Sequence, residues 1–324
     1  MTCLRCQQGT AVKAGTTNAN TQRFRCHDCG ARFTEPSRNP LGTHTTTLDD
    51  AVKVFTLLTE GMSVRAVSRV TGLHKTTILS LLKTVGGTCA SLFDVRLRNL
   101  RPRFVQADEI WTFVQKKQKR MTAKDNPAER GDQYVWIALD SETKAVLSYY
   151  VGKRDGLSAY EFIGDLSQRI VGRCQITTDG LEGYVPAIDE HFGGDVDFAQ
   201  LVKNYAPART DGPDWFRPSH RVVSAIPTSI LGDPDFSRIS TSHIERANLT
   251  LRMQMRRFTR LTNGFSKKLD NLKAAVSVFM CWYNFCRVHQ TLRVTPAMEA
   301  GLTDHVWTIR ELLTAEAPAY RVAA

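Results

Sequence analysis

The sequence predicts a multidomain α/β protein, with a small metal-stapled N-terminal module, then a pair of helices, then a larger domain of alternating strands and helices. Three observations predict it. Four cysteines fall in the first thirty residues as two Cys-x2-Cys pairs, residues 41–95 repeat apolar residues at helical spacing, and β-rich runs carrying acids alternate with helical runs from residue 96 onward.

Composition narrows the partners. Hydrophobic residues make up 42% and aromatics 9% of the 324 residues, ordinary for a globular chain. No apolar run approaches the roughly 18 residues of a membrane span. The opening "MTCLRCQQGT" has no apolar leader run, so a cytoplasmic, nucleoid-associated chain with no membrane partner is expected. Lys and Arg outnumber Asp and Glu by 43 to 32, a formal +11 that favours a polyanionic partner. Between Glu245 and Asp270 lie Arg246, Arg252, Arg256, Arg257, Arg260, Lys267 and Lys268.

The first module, residues 1–40, is read as a zinc ribbon. Cys3 and Cys6 in "CLRC" and Cys26 and Cys29 in "CHDC" give Cys-x2-Cys-x19-Cys-x2-Cys. A two-residue spacer lets both thiolates of a pair face one ion, and two such pairs complete the tetrahedral shell of a structural Zn²⁺. Disulfides do not persist in a reducing compartment. A fragment this short builds little core, so the metal supplies much of its folding free energy.

Residues 41–95 are read as a helix-turn-helix domain. "LDDAVKVFTLLTEG" repeats Leu48, Val52, Phe55 and Leu58 at helical spacing and stops at Gly61. Ser63 can cap a short helix with Val64, Val67 and Val70 inward, Thr71 and Gly72 turn the chain, and a helix from His74 to Val85 follows. His74, Lys75, Thr76 and Thr77 are left at its exposed start, the place from which such a helix reads a major groove.

Residues 96–300 are the α/β domain. "PRFVQADEIWTFV" is a strand interrupted by Asp108 and Glu109, and an acid inside an apolar strand costs several kcal/mol unless something pairs with it. A hairpin (Tyr134–Asp140, Ala145–Val151), a helix from Ser158 to about Val171, the strand "CQITTDG" delivering Asp179, a helix from Tyr184 and the strand "VDFAQLV" follow. Meander, helix, strand, helix, strand is the element order of an RNase H-like fold, which sets an acid of its first strand beside one at the end of its fourth. Glu109, next to Asp108 on a strand, is expected to face away. The Pro- and Gly-rich stretch 200–239 is read as an insertion before the last helix, and residues 301–324 as a C-terminal tail.

Glu245 opens that last helix. At 100° per residue, Ile244, Leu251, Met255 and Phe258 form a core face, while Glu245, Arg252 and Arg256 gather on a separate one. Ser242 and Glu245 also have the Ser-x-x-Glu form of a capping box, so two roles stand open for the glutamate: cap, or third carboxylate of a metal site.

The segments "ADEIWTFVQKK", "TTDGLEGYVPAI", "STSHIERANLTLRMQMRRFTRLTNGFSKK" and "YNFCRVHQTLRVTPAMEAG" together resemble transposases of the insertion sequence one family, DDE recombinases of bacterial mobile elements. The resemblance covers nearly the whole chain and implies Asp108, Asp179 and Glu245 as a catalytic triad holding two Mg²⁺ ions. It implies Arg252 as the basic residue that follows the glutamate by two turns, and it matches motif positions at His289 and Arg293. The N-terminal modules would then bind the element's terminal inverted repeats, and pairing two ends implies at least a homo-dimer on double-stranded DNA. Three carboxylates suit two divalent ions roughly 3.5 to 4 Å apart, which serve cleavage by water and then transfer of the freed 3′-hydroxyl to target DNA. All-oxygen ligation favours Mg²⁺. Arg252 and Arg256 would hold phosphates beside the ions. The alternatives are a catalytically silent domesticated transposase, a zinc-containing DNA-binding regulator, and a nuclease that only hydrolyses.

Overall fold

The structure, a computed structural model, describes residues 1–17, 22–34, 39–207, 220–259 and 262–315. Their contacts fall into two units, Met1–Thr45 and Thr46–Ala324.

The first unit is a three-stranded antiparallel sheet of β1 (Ala11–Thr16), β2 (Gln22–Cys26) and β3 (Arg32–Thr34), in that order. Its small core is Cys3, Cys26 and Ala31, with Cys6 and Phe33 packed against it. Ala11 and Phe24 are buried as well, yet a module this small has little apolar area to bury.

The second unit begins with α1 (Leu48–Thr59), α2 (Val64–Thr71) and α3 (Lys75–Arg96). Thr47 and Ser63 cap the first two, each accepting a backbone N–H in the first turn. Gly72 ends α2 at φ 74°, the left-handed conformation that favours glycine. Ala51, Val54, Phe55 and Thr59 are the buried face of α1, so Leu48, Val52 and Leu58 are only half-buried. In α2 only Val67 is buried, and Val70, expected inward, is 64% exposed.

The second helix of this pair runs eleven residues past the expected end at Val85, because its later turns have a partner. Gly86 lies against α7 (Leu269–Cys281), where a Cβ would sit 2.5 Å from that of Ala274. The boundary drawn at residue 95 therefore falls within a helix packed on the larger body. By length and composition α3 could cross a bilayer, yet its Ile78, Leu81, Leu82, Val85, Leu92 and Phe93 are core residues.

A six-stranded sheet follows, with β4 (Phe104–Val114), β5 (Gly131–Asp140), β6 (Val146–Gly152), β7 (Cys174–Thr178), β8 (Val196–Pro207) and β9 (His220–Leu231) in the order β6-β5-β4-β7-β8-β9. β4, β5 and β6 form an antiparallel meander, β7 and β8 run parallel to β4, and β9 returns antiparallel on β8. The crossovers carry α4 (Gly156–Ser167) and α5 (Tyr184–Phe192). This is the anticipated meander, helix, strand, helix, strand order.

The stretch 200–239 is more regular than its prolines suggested. Residues 196–207 and 220–231 pair as a long hairpin, with Pro227 accommodated opposite Leu201; residues 208–219 lie outside the described residues. The chain then enters α6 (Ser242–Gln254), followed by α7, a π-helical turn Trp282–Cys286, α8 (Pro296–Glu299) and α9 (Ile309–Thr314). The start of the expected tail is structured: Thr308 and Glu311 make a capping box, Leu312 and Leu313 are buried, and Trp307 packs on Phe285 at 4.7 Å. Residues 316–324 lie outside the described residues.

Arg169 ties α3 to α4. Nearly buried, it donates to both carboxylate oxygens of Asp165, to Asp94 and to the Leu97 carbonyl, and it lies over the Phe93 ring. A buried guanidinium satisfied on every side locks the end of α3 to the region after α4.

Candidate functional site

The thiol cluster and the carboxylate cavity belong to different units. In the first, ligand atoms of Cys3, Cys6, Cys26 and Cys29 all lie within 4.8 Å of one another. Sγ of Cys3 and Cys29 are 3.6 Å apart, and those of Cys6 and Cys26 are 3.8 Å apart. Four sulfurs at a Zn–S distance of about 2.3 Å would be separated by roughly 3.8 Å in a tetrahedron, so the donor set fits that ion. Backbone N–H groups of Arg5, Gly9 and Cys29 donate to Cys3, Cys6 and Cys26. Such donors favour thiolate, and the Cys3 thiol is held below its usual range by backbone N–H groups, that of Cys6 first. Gly9 makes the approach possible, since a Cβ there would lie 2.6 Å from the Cys26 sulfur.

In the second unit, register builds the carboxylate site. β4 pairs with β7 at Phe104↔Gln175, Val105↔Ile176 and Gln106↔Thr177. Continuing that parallel register by two residues sets Asp108 beside Asp179, which follows the last residue of β7. Asp179 is held in place by its own turn, its Oδ1 accepting from the Leu181 N–H at 3.0 Å.

Glu109 is closer to this pair than strand alternation suggested. Ligand atoms of Asp108, Glu109 and Asp179 lie within 4.8 Å of one another. Asp108 and Glu109 stand on β4 beyond the end of its ladder with β7, so that edge of the strand is open there, while β5 still pairs with both on the other side at Ile137 and Trp136. Tyr184 donates to Glu109 at 3.1 Å, and Arg154 donates to it at 2.5 Å while reaching Asp179 at 3.6 Å. The expectation that Glu109 faces away is therefore corrected.

Helix α6 is attached to β4 two residues before Asp108. The Gln106 Oε1, buried, accepts the N–H groups of His243 and Ile244 at 2.9 and 3.1 Å, while Glu245 N–H donates to Thr241 O. The capping box between Ser242 and Glu245 is not formed: Thr241 occupies the cap position, and a glutamine from the sheet satisfies the helix start. The Glu245 carboxylate is left for other partners. It accepts from Thr241 Oγ1 at 2.8 Å and is paired with Lys203 of β8.

Asp108, Glu109, Asp179 and Glu245 line one cavity of about 800 Å³, together with Arg154, Lys203, Asn248 and Arg252. Glu245 stands outside the compact group of three acids, yet its charge is among those that push Asp108 up. Burial is the first cause, the charges of Glu109 and Asp179 follow, and the carboxyl is raised to about 7. Burial raises Glu109 as well, with Asp179 adding to it and Arg154 opposing it.

Asn248, one turn after Glu245, is a site residue that the sequence reading missed. Its Nδ2 donates to Asp108 Oδ2 at 2.8 Å, and its buried Oδ1 has no partner among the described residues. An orphaned buried amide oxygen costs about 1–3 kcal/mol and is tolerated where a ligand can complete it. The i, i+3, i+7 spacing of Glu245, Asn248 and Arg252 was the signal available for it. Lys203 had none, being delivered by the β8–β9 hairpin.

The remaining predicted residues are distributed as follows. Arg252 lines the cavity. Arg256 does not, because α6 ends at Gln254 and Arg256 begins a 3-10 turn lying near Leu58, Thr59 and Met62; its place on the glutamate's face is corrected. His289 and Arg293 close a turn outside this cavity, Arg293 N–H donating to His289 O. His74, Lys75 and Thr76 are exposed at the start of α3 and Thr77 is half-buried, with His74 capping the helix by accepting from Thr76 N–H.

The site is thus an acid cluster of strand and helix carboxylates flanked by cations, on a mixed sheet. No family model matches the chain, and no curated protein does. Among solved structures the chain is similar to a piggyBac transposase synaptic complex with hairpin DNA, at 13% identity over 83% of this chain and 70% of that one, with a TM-score of 0.37. It is similar also to the Mos1 strand transfer complex, at 16% identity over 47% of this chain and 59% of that one, with a TM-score of 0.20.

Proposed function

We propose that the chain is a DDE transposase of an RNase H-like type, which binds the terminal inverted repeats of a bacterial insertion sequence and carries out Mg²⁺-dependent strand cleavage and strand transfer. The observation that carries the reading is the single cavity in which Asp108, Asp179 and Glu245 converge from the middle of β4, the end of β7 and the first turn of α6, with cations beside them. Oxygen donors, and the orphaned Asn248 Oδ1 that a bound water could complete, suit Mg²⁺. Asp108, Glu109 and Asp179 would hold an ion, and Glu245 adds the carboxylate that a second requires. Bound there, the ions would activate the attacking oxygen and stabilise the leaving one.

The chain's own residues do the rest. Lys203 and Arg252 bind the phosphates of the strand to be cut, and Arg154 keeps Glu109 and Asp179 together. Asn248 orients Asp108 through its Nδ2. The thiol cluster holds one structural Zn²⁺, and the exposed start of α3 supplies His74, Lys75, Thr76 and Thr77 to a DNA groove, as a helix-turn-helix does. Two copies would be needed to pair two ends, in the cytoplasm where the nucleoid lies.

Purified protein is incubated with labelled DNA from the flanks of its coding frame, a plasmid target and Mg²⁺. Joined products that disappear with Asp179→Ala are expected; end binding that persists without any cutting would overturn the enzymatic reading in favour of a DNA-binding regulator.

A further inference from the structure

The loop between β4 and β5, residues 115–130, holds six cations, Lys116, Lys117, Lys119, Arg120, Lys124 and Arg130, against two acids, Asp125 and Glu129. A run of charge is usually a solvated face, but this one is folded around a buried carboxylate. Asp125, 8% exposed, accepts from Lys116 at 2.8 Å, from Arg130 at 2.9 Å, and from both the N–H and the hydroxyl of Thr122 at 2.9 Å. At the base of the loop the Gln118 N–H donates to Asp132, and a Cβ at Gly131 would meet the Met121 sulfur. Lys153, the neighbour of Arg154, donates to the Arg130 and Asp132 carbonyls at 2.8 Å, which fixes the loop to the segment that brings Arg154 to the acids.

Lys116 and Arg130 are thus committed to the fold of the loop, and Lys117, Lys119, Arg120 and Lys124 are left exposed. Like charges held together repel, and an ordered loop cannot splay to relieve them. An anion in front of them offsets that cost. Lys117 lies over the Trp111 and Phe113 rings at 5.5 and 5.9 Å, and Phe113 packs on Phe265 at 4.7 Å. Trp111 and Phe113 follow Glu109 by two and four residues on β4, so the cations continue along the strand that carries the acids. At about 3.3 Å per residue, the end of β4 at Val114 is roughly 20 Å from Asp108. A duplex advances about 3.4 Å per base pair, so that reach is about six base pairs.

We propose that the 115–130 loop is a backbone clamp, in which Lys117, Lys119, Arg120 and Lys124 hold phosphates of the duplex about six base pairs from the phosphate that is cut. The inference rests on the strand-cutting reading and adds to it where the flanking duplex lies. Phosphate contacts fix register and carry no sequence information, so the loop positions an end that other residues recognise. Asp125 is a positioning residue, acting through the shape of the loop.

The test uses the full chain, the double variant Lys119→Ala/Arg120→Ala and the single variant Asp125→Asn, on duplexes from the flanks of the coding frame. Binding is measured across roughly 50 to 200 mM salt. Loss of two phosphate contacts should flatten the slope of log affinity against log salt by about two, equally for end and scrambled sequences. Ethylating phosphates about six base pairs from the cut should weaken the wild type and leave the double variant unmoved. Asp125→Asn makes the chain more positive, yet it should weaken binding, because Lys116 and Arg130 lose the acid that orders the loop. Exposed lysine and arginine side chains leave the thermal midpoint of the double variant unchanged, which separates these effects from misfolding. Tighter binding by Asp125→Asn would show that bulk charge suffices and would overturn the clamp. An unchanged salt slope, or equal interference in wild type and double variant, would overturn it while a wild type that still joins ends keeps the strand-cutting reading. A change in solution mass with an unchanged slope would overturn it in favour of a contact between two copies. A wild type that shows the slope and the interference but cuts no end keeps the loop as a DNA surface and removes the cutting reading.

Discussion

Replacing Asp108 with asparagine should stabilise the metal-free protein at neutral pH. Asp108 is the most penalised of the site acids, pushed from an ordinary 3.8 to about 7 by burial first and then by the charges of Glu109, Asp179 and Glu245. A carboxyl whose folded pKa is raised binds more protons in the native than in the unfolded state between those values. Stability therefore falls as pH rises from about 4 to about 7, and the full penalty persists above. About three pH units at roughly 1.4 kcal/mol each gives an upper bound of about 4 kcal/mol.

The asparagine loses part of this gain. Asp108 accepts at both oxygens, from Glu109 N–H at 2.8 Å and from Asn248 Nδ2 at 2.8 Å, and an amide can accept at only one. Asn248 can turn its own amide and offer its unpartnered Oδ1, so the net gain should be about 1–3 kcal/mol. Urea unfolding of wild type and Asp108→Asn, at pH 4.5 and pH 7.5 with Zn²⁺ present and Mg²⁺ absent, measures it. The variant should be the more stable at pH 7.5 and the two should converge at pH 4.5. Added Mg²⁺ should raise the wild type and leave the variant unmoved. A variant less stable than wild type at pH 7.5, with unchanged m-value, would refute the electrostatic reasoning.

Four further outcomes follow from named contacts. Gln106→Ala removes the acceptor of two helix-start N–H groups and should cost about 1–3 kcal/mol, checked by thermal unfolding, and should lower Mg²⁺ affinity by calorimetry because Glu245 loses its anchor. Arg169→Leu removes the buried guanidinium, while Asp94 keeps Arg98 and Asp165 keeps Ser148, and should cost about 1–3 kcal/mol in urea unfolding. Gly86→Val forces α3 away from α7 and should cost at least about 1–3 kcal/mol, with a lowered melting midpoint. Cys26→Ser should reduce bound zinc, measured by atomic absorption, and expose the first unit to protease, with the melting of the second unit unchanged.

Much of the site was legible because its residues break local rules. Paired thiols at Cys-x2-Cys spacing and acids inside an apolar strand are costly without a ligand, so their chemistry shows in one dimension. The alternation of strands and helices from residue 104 to 207 was legible for a similar reason, since each period is written in which residues are apolar. The wheel found residues that are all buried, Ile244 and Leu251 on α6 and Met255 and Phe258 just beyond its end. It went wrong at Arg256 because nothing local announces that the helix ends at Gln254.

By itself, the order of residues determined most of the elements, the cysteine spacing and the candidacy of Asp108, Asp179 and Glu245, because periodicity and spacing are properties of neighbours in the chain. Tertiary structure alone decided which groups meet. The β4–β7 register brings Asp108 beside Asp179, the end of that ladder lets Glu109 join them, and Gln106 takes over the helix start from the capping box. The hairpin read as irregular insertion carries Lys203 to Glu245 and Tyr205 to the cavity wall. Those encounters depend on strand register and on contacts between residues tens of positions apart, where local energetics carries no record of the partner.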